Sequence, residues 1–149
     1  MRTATRPSLS RMLVVVAMSE LDTVVARAGA PGVVLLPTPP RLDDDVPLEQ
    51  QIVTAAVTQG IDEPTELADF AIDVLGAEPL LSRVPRPMSR GERQIGGLLI
   101  AFGQPFRELV LLDPTAGLDA RRRKALAGFL SELGDEGARI TVVSDDSMF

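Results

Sequence analysis

Several side chains on which enzymes commonly depend are missing from this chain. Its 149 residues contain no Cys, His, Trp or Tyr. Without Cys there are no disulfides, thiol nucleophiles or thiolate zinc sites. Without His there is no Ser-His-Asp triad, and the commonest general base and metal ligand is gone. Aromatics make up 3%, all of them Phe, too few for platforms that stack single-stranded nucleic acid or sugars. Lysine occurs once, as Lys124. Lys+Arg 15 against Asp+Glu 21 gives a net charge of −6, which argues against a nucleic-acid partner. No apolar run approaches the ~20 residues that cross a bilayer. The apolar patch Met12 to Met18 follows Arg2, Arg6 and Arg11, as in a secretory leader. However, Glu20 and Asp22 come at once and no small-residue cleavage site is evident. The expectation is a cytosolic protein with no direct membrane insertion, whose chemistry rests on carboxylates, hydroxyls, backbone groups and Arg.

Hydrophobic residues at 45% and charged residues at 24% describe a globular domain long enough to bury a core. The β-branched run Met12 to Ala17 predicts a strand buried on both faces. Ser19 to Ala28 predicts a short helix with Ser19 as N-cap, and Gly32 to Leu36 a second buried strand. Strand, helix and strand suggest a right-handed βαβ unit. Pro37, Pro39 and Pro40 then enforce an extended loop, continued by Asp43, Asp44 and Asp45, which reads as a solvated acidic loop. A helix from Pro47 to Gly60 carries Leu48, Ile52 and Ala56 on one face. The next, capped by Asp62 and stopped by Gly76, places Leu67, Phe70, Ala71, Val74 and Leu75 at helical spacing. Leu80 to Pro87 is a Pro-broken connector.

The last third is denser in signals. Ser89 and Glu92 form S-x-x-E, a capping box, ahead of an apolar helix to about Phe102. Glu108 to Asp113 reads as a buried strand ending in a carboxylate, and Pro114 to Asp119 as a turn. Asp119 caps a helix carrying Leu126, Phe129, Leu130 and Leu133 to Gly134. Within it, Arg121 to Lys124 spread around the axis as a solvated face. Arg139 to Val143 is a final strand, followed by Ser144, Asp145 and Asp146. Strands alternate with helices, so the expected class is α/β with a mostly parallel sheet and a helical subdomain insertion.

The stretch Met88 to Asp146 resembles the C-terminal part of an ATP-binding cassette (ABC) transporter ATPase. Met88-Ser-Arg-Gly-Glu-Arg-Gln94 is similar to the signature L-S-G-G-Q-R-Q. Glu108-Leu-Val-Leu-Leu-Asp-Pro-Thr-Ala-Gly-Leu-Asp119 is similar to the Walker B strand running into the D-loop. Ile140 to Asp146 is similar to the strand and switch V-T-H-D. Upstream, Gly32 to Pro37 and Pro40 to Ile52 resemble the Q-loop strand and the loop into the helical subdomain. The resemblance implies one truncated P-loop NTPase-type domain over residues 1–149. About 1–46 and 103–149 would form the α/β core and about 47–102 the helical subdomain, which in the family docks on a membrane partner.

The departures are chemical. No G-x-x-x-x-G-K-[ST] phosphate loop occurs, and the segment before the Q-loop position is too short for the family's first strands and loop. Leu36 or Pro37 stands where the family has its Mg²⁺-coordinating Gln. Pro114 directly follows Asp113, displacing the Glu that polarises water. Asp145 stands at the switch His position and brings negative charge towards phosphates. Arg90 replaces the first Gly of the signature.

Each candidate residue carries two readings. Ser89 and Glu92 are a helix cap worth about 1 kcal/mol. With Arg90 and Gly91 they also correspond to the segment that meets the γ-phosphate of a partner's ATP. Arg90 is either a solvated or blocking charge or a contact to that phosphate. Asp113 reads as a relic of Walker B, because the rest of a Mg²⁺ shell is absent, and Asp119 as an N-cap that in the family also reaches across the dimer interface. No metal site is expected.

The resemblance implies a non-catalytic subunit, a pseudo-ATPase. It would pair with an intact ABC ATPase in a complex with a membrane permease, peripheral at the inner face of the cell membrane. ATP and Mg²⁺ would be bound mainly by the partner. The alternative is an interaction or regulatory scaffold with no nucleotide contact. In either case the chain is expected to expose an apolar edge or face that the family's missing elements would cover.

Overall fold

The computed structural model of the protein describes residues 12–146. Four strands form one sheet: β1 (Leu13–Val16), β2 (Val33–Leu36), β3 (Glu108–Leu112) and β4 (Ile140–Val143). Their order is β1-β4-β3-β2 and every neighbouring pair is parallel. Leu13 pairs with Ile140, Ile140 with Leu109, and Leu109 with Val34, so one register row crosses the sheet. β4 is buried along its whole length, as both faces of a central parallel strand must be. β1 and β2 are therefore not neighbours in a compact βαβ unit but, among the described residues, the two outer strands of the sheet. β1 is also not buried on both faces. Val14 is 51% exposed and Val15 39%, because β4 flanks this strand on one side alone among the described residues.

Five helices flank the sheet: α1 (Leu21–Arg27), α2 (Leu48–Thr58), α3 (Glu66–Leu75), α4 (Arg90–Phe102) and α5 (Ala120–Asp135). One sheet face, presenting Val34, Leu36, Leu109, Leu111, Ile140 and Val142, shares a continuous core with residues of α2 to α5. Phe102 and Phe129 meet edge to face there, with ring centroids 5.3 Å apart. The other face is covered thinly, by Val24 of the short α1 on Val110 and Val143. A polar group helps fasten α1: Arg27 donates to the buried Thr141 hydroxyl at 3.2 Å, which donates to Glu108 at 2.8 Å.

Local sequence explains most elements. α2 buries Leu48, Ile52 and Ala56, the expected face, and starts after Pro47, where a missing N–H costs nothing. α3 stops at Gly76, which adopts φ 61°, a left-handed conformation that suits glycine. Two caps differ from expectation. Ser19 lies inside a 3-10 turn, Met18–Glu20, and Glu20 precedes α1. Asp62 lies ahead of α3, whose N-cap is Thr65. The buried stripe of α3 is Ala68, Ala71 and Leu75, while Phe70 is 55% exposed. Small residues let α3 approach α4 and α5 closely, and a ring at position 70 lies off that stripe.

The acidic loop is tied down rather than simply solvated. Asp45 forms a bidentate pair with Arg86 at 2.9 and 2.7 Å, and Asp44 binds Arg93 at 2.7 Å. These pairs fasten the loop before α2 to the approach to α4. Arg122 also leaves the solvated set of basic residues, donating its Nε to the Leu75 carbonyl at 3.1 Å.

Candidate functional site

The approach to α4 contains Pro85 and Pro87 in a turn closed by the Met88 N–H, which donates to the Pro85 carbonyl at 2.9 Å, and the chain leaves that turn into Ser89. Ser89 has φ −65° and ψ 166°, and its hydroxyl accepts from the Glu92 N–H at 3.1 Å. The Glu92 carboxylate accepts in return from the Ser89 N–H at 3.0 Å, completing the expected capping box. That backbone bond, with Arg83 at 3.2 Å, holds the Glu92 carboxyl below its ordinary pKa. Ser89 and Arg90 are exposed, while Gly91 and Glu92 are half-buried.

The start of α4 rests on the turn between β3 and α5. A Cβ placed on Gly91 would lie 2.5 Å from the Gly117 carbonyl oxygen. Gly117 itself has φ 76°, and a Cβ there would meet the Arg90 side chain at 3.1 Å. Gln94, 2% exposed, donates its side-chain amide to the Pro114 carbonyl at 2.9 Å. The signature-like and D-loop-like segments are thus locked together inside one chain. Beside them lies a cavity of about 360 Å³ lined by Thr38, Pro39, Pro40, Arg90, Arg93, Gln94 and Ala116. Sequence reasoning gave Gln94 no role of its own. Gln94 follows the polar stretch Arg90 to Arg93, so no local pattern set it apart as buried.

Ligands of open parallel sheets gather at the carboxyl ends of the strands. At that end Asp113 closes β3 with φ 45°, its N–H donating to the Val143 carbonyl at 2.8 Å. The Thr38 hydroxyl donates to the Leu112 carbonyl, drawing the Pro-rich loop onto the same end. Beyond β4, Asp145 accepts from the Met18 N–H at 3.1 Å and Asp146 accepts from the Thr115 hydroxyl at 2.8 Å. Asp119 caps α5, accepting from the Arg122 N–H at 2.8 Å and pairing with the Arg122 guanidinium at 3.2 Å, which lowers its pKa. Among the described residues, neither Asp119 nor Asp145 bonds to the Ser89–Glu92 segment. Asp146, Thr38 and Thr115 are further residues of this end that the sequence left without a role.

β1, the turn Met18–Glu20 and α1 make a strand–turn–helix unit, the arrangement that in P-loop proteins wraps a triphosphate. Here that turn is short, its Met18 N–H is taken by a carboxylate, and Glu20 and Asp22 flank the helix start. Lys124, the chain's sole lysine, lies on α5. This donor set does not fit a triphosphate with Mg²⁺: it offers carboxylates where phosphate oxygens need N–H groups and a cation. Among the described residues no three of His, Cys, Asp and Glu gather closely enough to hold a metal ion. No helix among them is long and apolar enough to cross a membrane.

No protein-family model matches the chain. It is 36% identical over 99 residues to the energy-coupling factor transporter ATP-binding protein EcfA of Methanoculleus marisnigri, covering 65% of this chain and 36% of that protein. It is 38% identical over 88 residues to the molybdenum import ATP-binding protein ModC of a Shewanella species, covering 56% of this chain and 24% of that one. The matches thus span about a third or less of these relatives. Among solved structures, an ATP-binding subunit of an ABC transporter superposes with a TM-score of 0.73 at 19% identity, covering 91% of this chain and 68% of the other. A dimeric bacterial ABC transporter cassette gives 0.73 at 11% identity over 92% of this chain and 75% of the other. The fold is therefore that of the ABC ATPases, a parallel sheet with flanking helices, as the sequence led us to expect.

Proposed function

We propose, from the premise of an ABC ATPase fold, that this chain is a pseudo-ATPase subunit. It pairs with an intact ABC ATPase in a membrane transport complex and presents Ser89, Arg90, Gly91 and Glu92 to the partner's ATP. The observation that carries the non-catalytic part is the Asp145 carboxylate on the Met18 N–H. A carboxylate at the head of the strand–turn–helix unit repels the phosphates that such a unit would otherwise hold. Pro114, held by Gln94, follows Asp113 and puts no carboxylate at the position directly after it. At the α4 N-terminus the capping box takes the Ser89 and Glu92 N–H groups and leaves those of Arg90 and Gly91, and a helix start favours an anion brought to it from outside. The relatives are named as ATP-binding proteins of transporters, which supports the transport setting and a peripheral place beside a permease.

A scaffold reading has its own support. Gly91 is required by its approach to Gly117, so this glycine needs no nucleotide to explain it. In that reading the domain binds a partner without touching ATP.

Calorimetry with Mg·ATP on the purified chain tests the non-catalytic part. No binding and no turnover are expected, and none after Asp145→His with a Glu inserted behind Asp113. Those changes restore water activation without supplying a phosphate cradle. Micromolar binding by either protein would overturn the proposal.

A further inference from the structure

The cavity of about 360 Å³ beside α4 lies between walls that are fixed from behind. Pro40 is seated on Gly97, where a Cβ would come within 2.5 Å of the Pro40 ring. The Thr38 hydroxyl donates to the Leu112 carbonyl, and the turn that carries Ala116 is closed by its N–H on the Asp113 carbonyl at 3.1 Å. Walls held in this way do not close over the space, whose volume falls at the lower end of the range for small-molecule sites, about 300–1,000 Å³. The polar groups facing it are incompletely used. Gln94 is 2% exposed, and its Nε2 donates to the Pro114 carbonyl at 2.9 Å. That bond fixes the amide, because exchanging N and O would set two acceptors against each other. Its Oε1 accepts from no donor among the described residues, and a buried acceptor is normally paired. Arg93 uses Nη1 on Asp44 at 2.7 Å and on the Pro85 carbonyl at 3.0 Å, which leaves Nε and Nη2 without a partner among the described residues. The Arg90 stem lies over Gly117, where a Cβ would meet its Cγ at 3.1 Å, and its guanidinium pairs with no carboxylate among them.

We propose that this cavity binds a small organic acid. Its single carboxylate is held by Arg90 and Arg93, a hydroxyl or N–H group on the same molecule donates to Gln94 Oε1, and its apolar body lies against Pro39, Pro40 and Ala116. Charge selects the class. Two guanidinium groups against the one carboxylate of Asp44 leave a single positive charge, which a monoanion neutralises and a doubly charged phosphate exceeds. The planar fork of an Arg also matches the two oxygens of a carboxylate. Gln94 narrows the class further, because an anion with acceptors alone leaves Oε1 bare. The site is built within one chain and needs no ATP, so it goes beyond the nucleotide reading. Arg90 is common to both, whereas Arg93 and Gln94 are required by the cavity alone.

Mandelate, which carries one carboxylate, a hydroxyl and a ring, is the probe, titrated into the isotope-labelled native chain and followed by two-dimensional NMR. The Arg93 Nε–H and Gln94 side-chain amide signals should shift saturably, with a Kd of about 1 mM or tighter. Mandelamide keeps the hydroxyl without the charge, and phenylacetate keeps the charge without the hydroxyl. Each should bind at least about tenfold more weakly, and phenylacetate tests the Gln94 contact without altering the chain. Mg·ATP should leave the two signals in place. Arg90→Gln changes an exposed side chain and should weaken mandelate at least about tenfold, and Ala116→Leu fills the cavity and should abolish binding, with far-UV circular dichroism unchanged in both. The absence of saturable shifts at Arg93 and Gln94 would overturn the proposal. So would equal binding of mandelamide or phenylacetate, displacement by Mg·ATP, or native affinity in a folded Arg90→Gln or Ala116→Leu chain.

Discussion

Gly91→Ala tests whether the start of α4 is seated on the turn between β3 and α5. Two effects oppose each other. Ala is a better helix residue than Gly by up to about 1 kcal/mol, less in a first turn. Against this, the new methyl would sit 2.5 Å from the Gly117 carbonyl oxygen, which belongs to backbone rather than to a flexible side-chain end. Forcing an extra carbon into a filled space costs typically 1–3 kcal/mol. The clash wins, with a net loss of about 1–2 kcal/mol, or roughly 3–6 °C in Tm for a chain of this size. Gly128→Ala is the matched control, because a Cβ at that position of α5 meets nothing within 4 Å. It should raise Tm by a degree or more through helix propensity alone. Urea melts of both variants decide the matter. If Gly91→Ala is as stable as the native chain, α4 does not rest on Gly117 and the argument for that contact is wrong.

Ser89→Ala removes the cap and should cost about 1 kcal/mol in urea unfolding, whereas Ser89→Asp keeps a capping oxygen and should cost little. The folded Glu92 pKa lies below its unfolded value, so its stabilisation is present at neutral pH and above the unfolded pKa, and is lost as pH falls through the folded one. Glu92→Gln should therefore narrow the difference in Tm between neutral and acidic buffer, and an unchanged pH profile would contradict the capping role. Phe102→Ala empties the fully buried ring site against Phe129 and should cost about 3–5 kcal/mol by denaturant melt.

What the sequence revealed was mostly local. The capping box at Ser89, the cap at Asp119 and the buried face of α2 depend on residues within a turn or two, and each stands in the structure. Strand existence was legible from β-branched runs, but strand order was not, because it is decided by pairings across the whole chain. Met12 to Ala17 has the composition of a central strand, yet among the described residues β1 pairs with β4 alone. The α3 stripe was misjudged at Phe70 because apolar spacing fits more than one face, and only the close approach of neighbouring helices selects the alanines. At the candidate site the residue types were visible, but their meeting was not. Asp145 and Met18 are 127 positions apart, and no local pattern announces their bond. The ion pairs of Asp44 and Asp45 with Arg93 and Arg86 were hidden for the same reason.

The central claim, that the α4 N-terminus of this chain meets nucleotide held by another subunit, is tested most directly by ATP-dependent pairing with an intact ABC ATPase. Size exclusion of the mixture with and without Mg·ATP should show a complex that forms with ATP. Ser89→Asp keeps the cap but sets a carboxylate against the γ-phosphate, and Ser89→Glu adds the same charge, so both should weaken that complex while far-UV circular dichroism stays native. If both variants pair as well as the native chain, or if pairing ignores ATP, the segment does not touch nucleotide and the scaffold reading replaces this one.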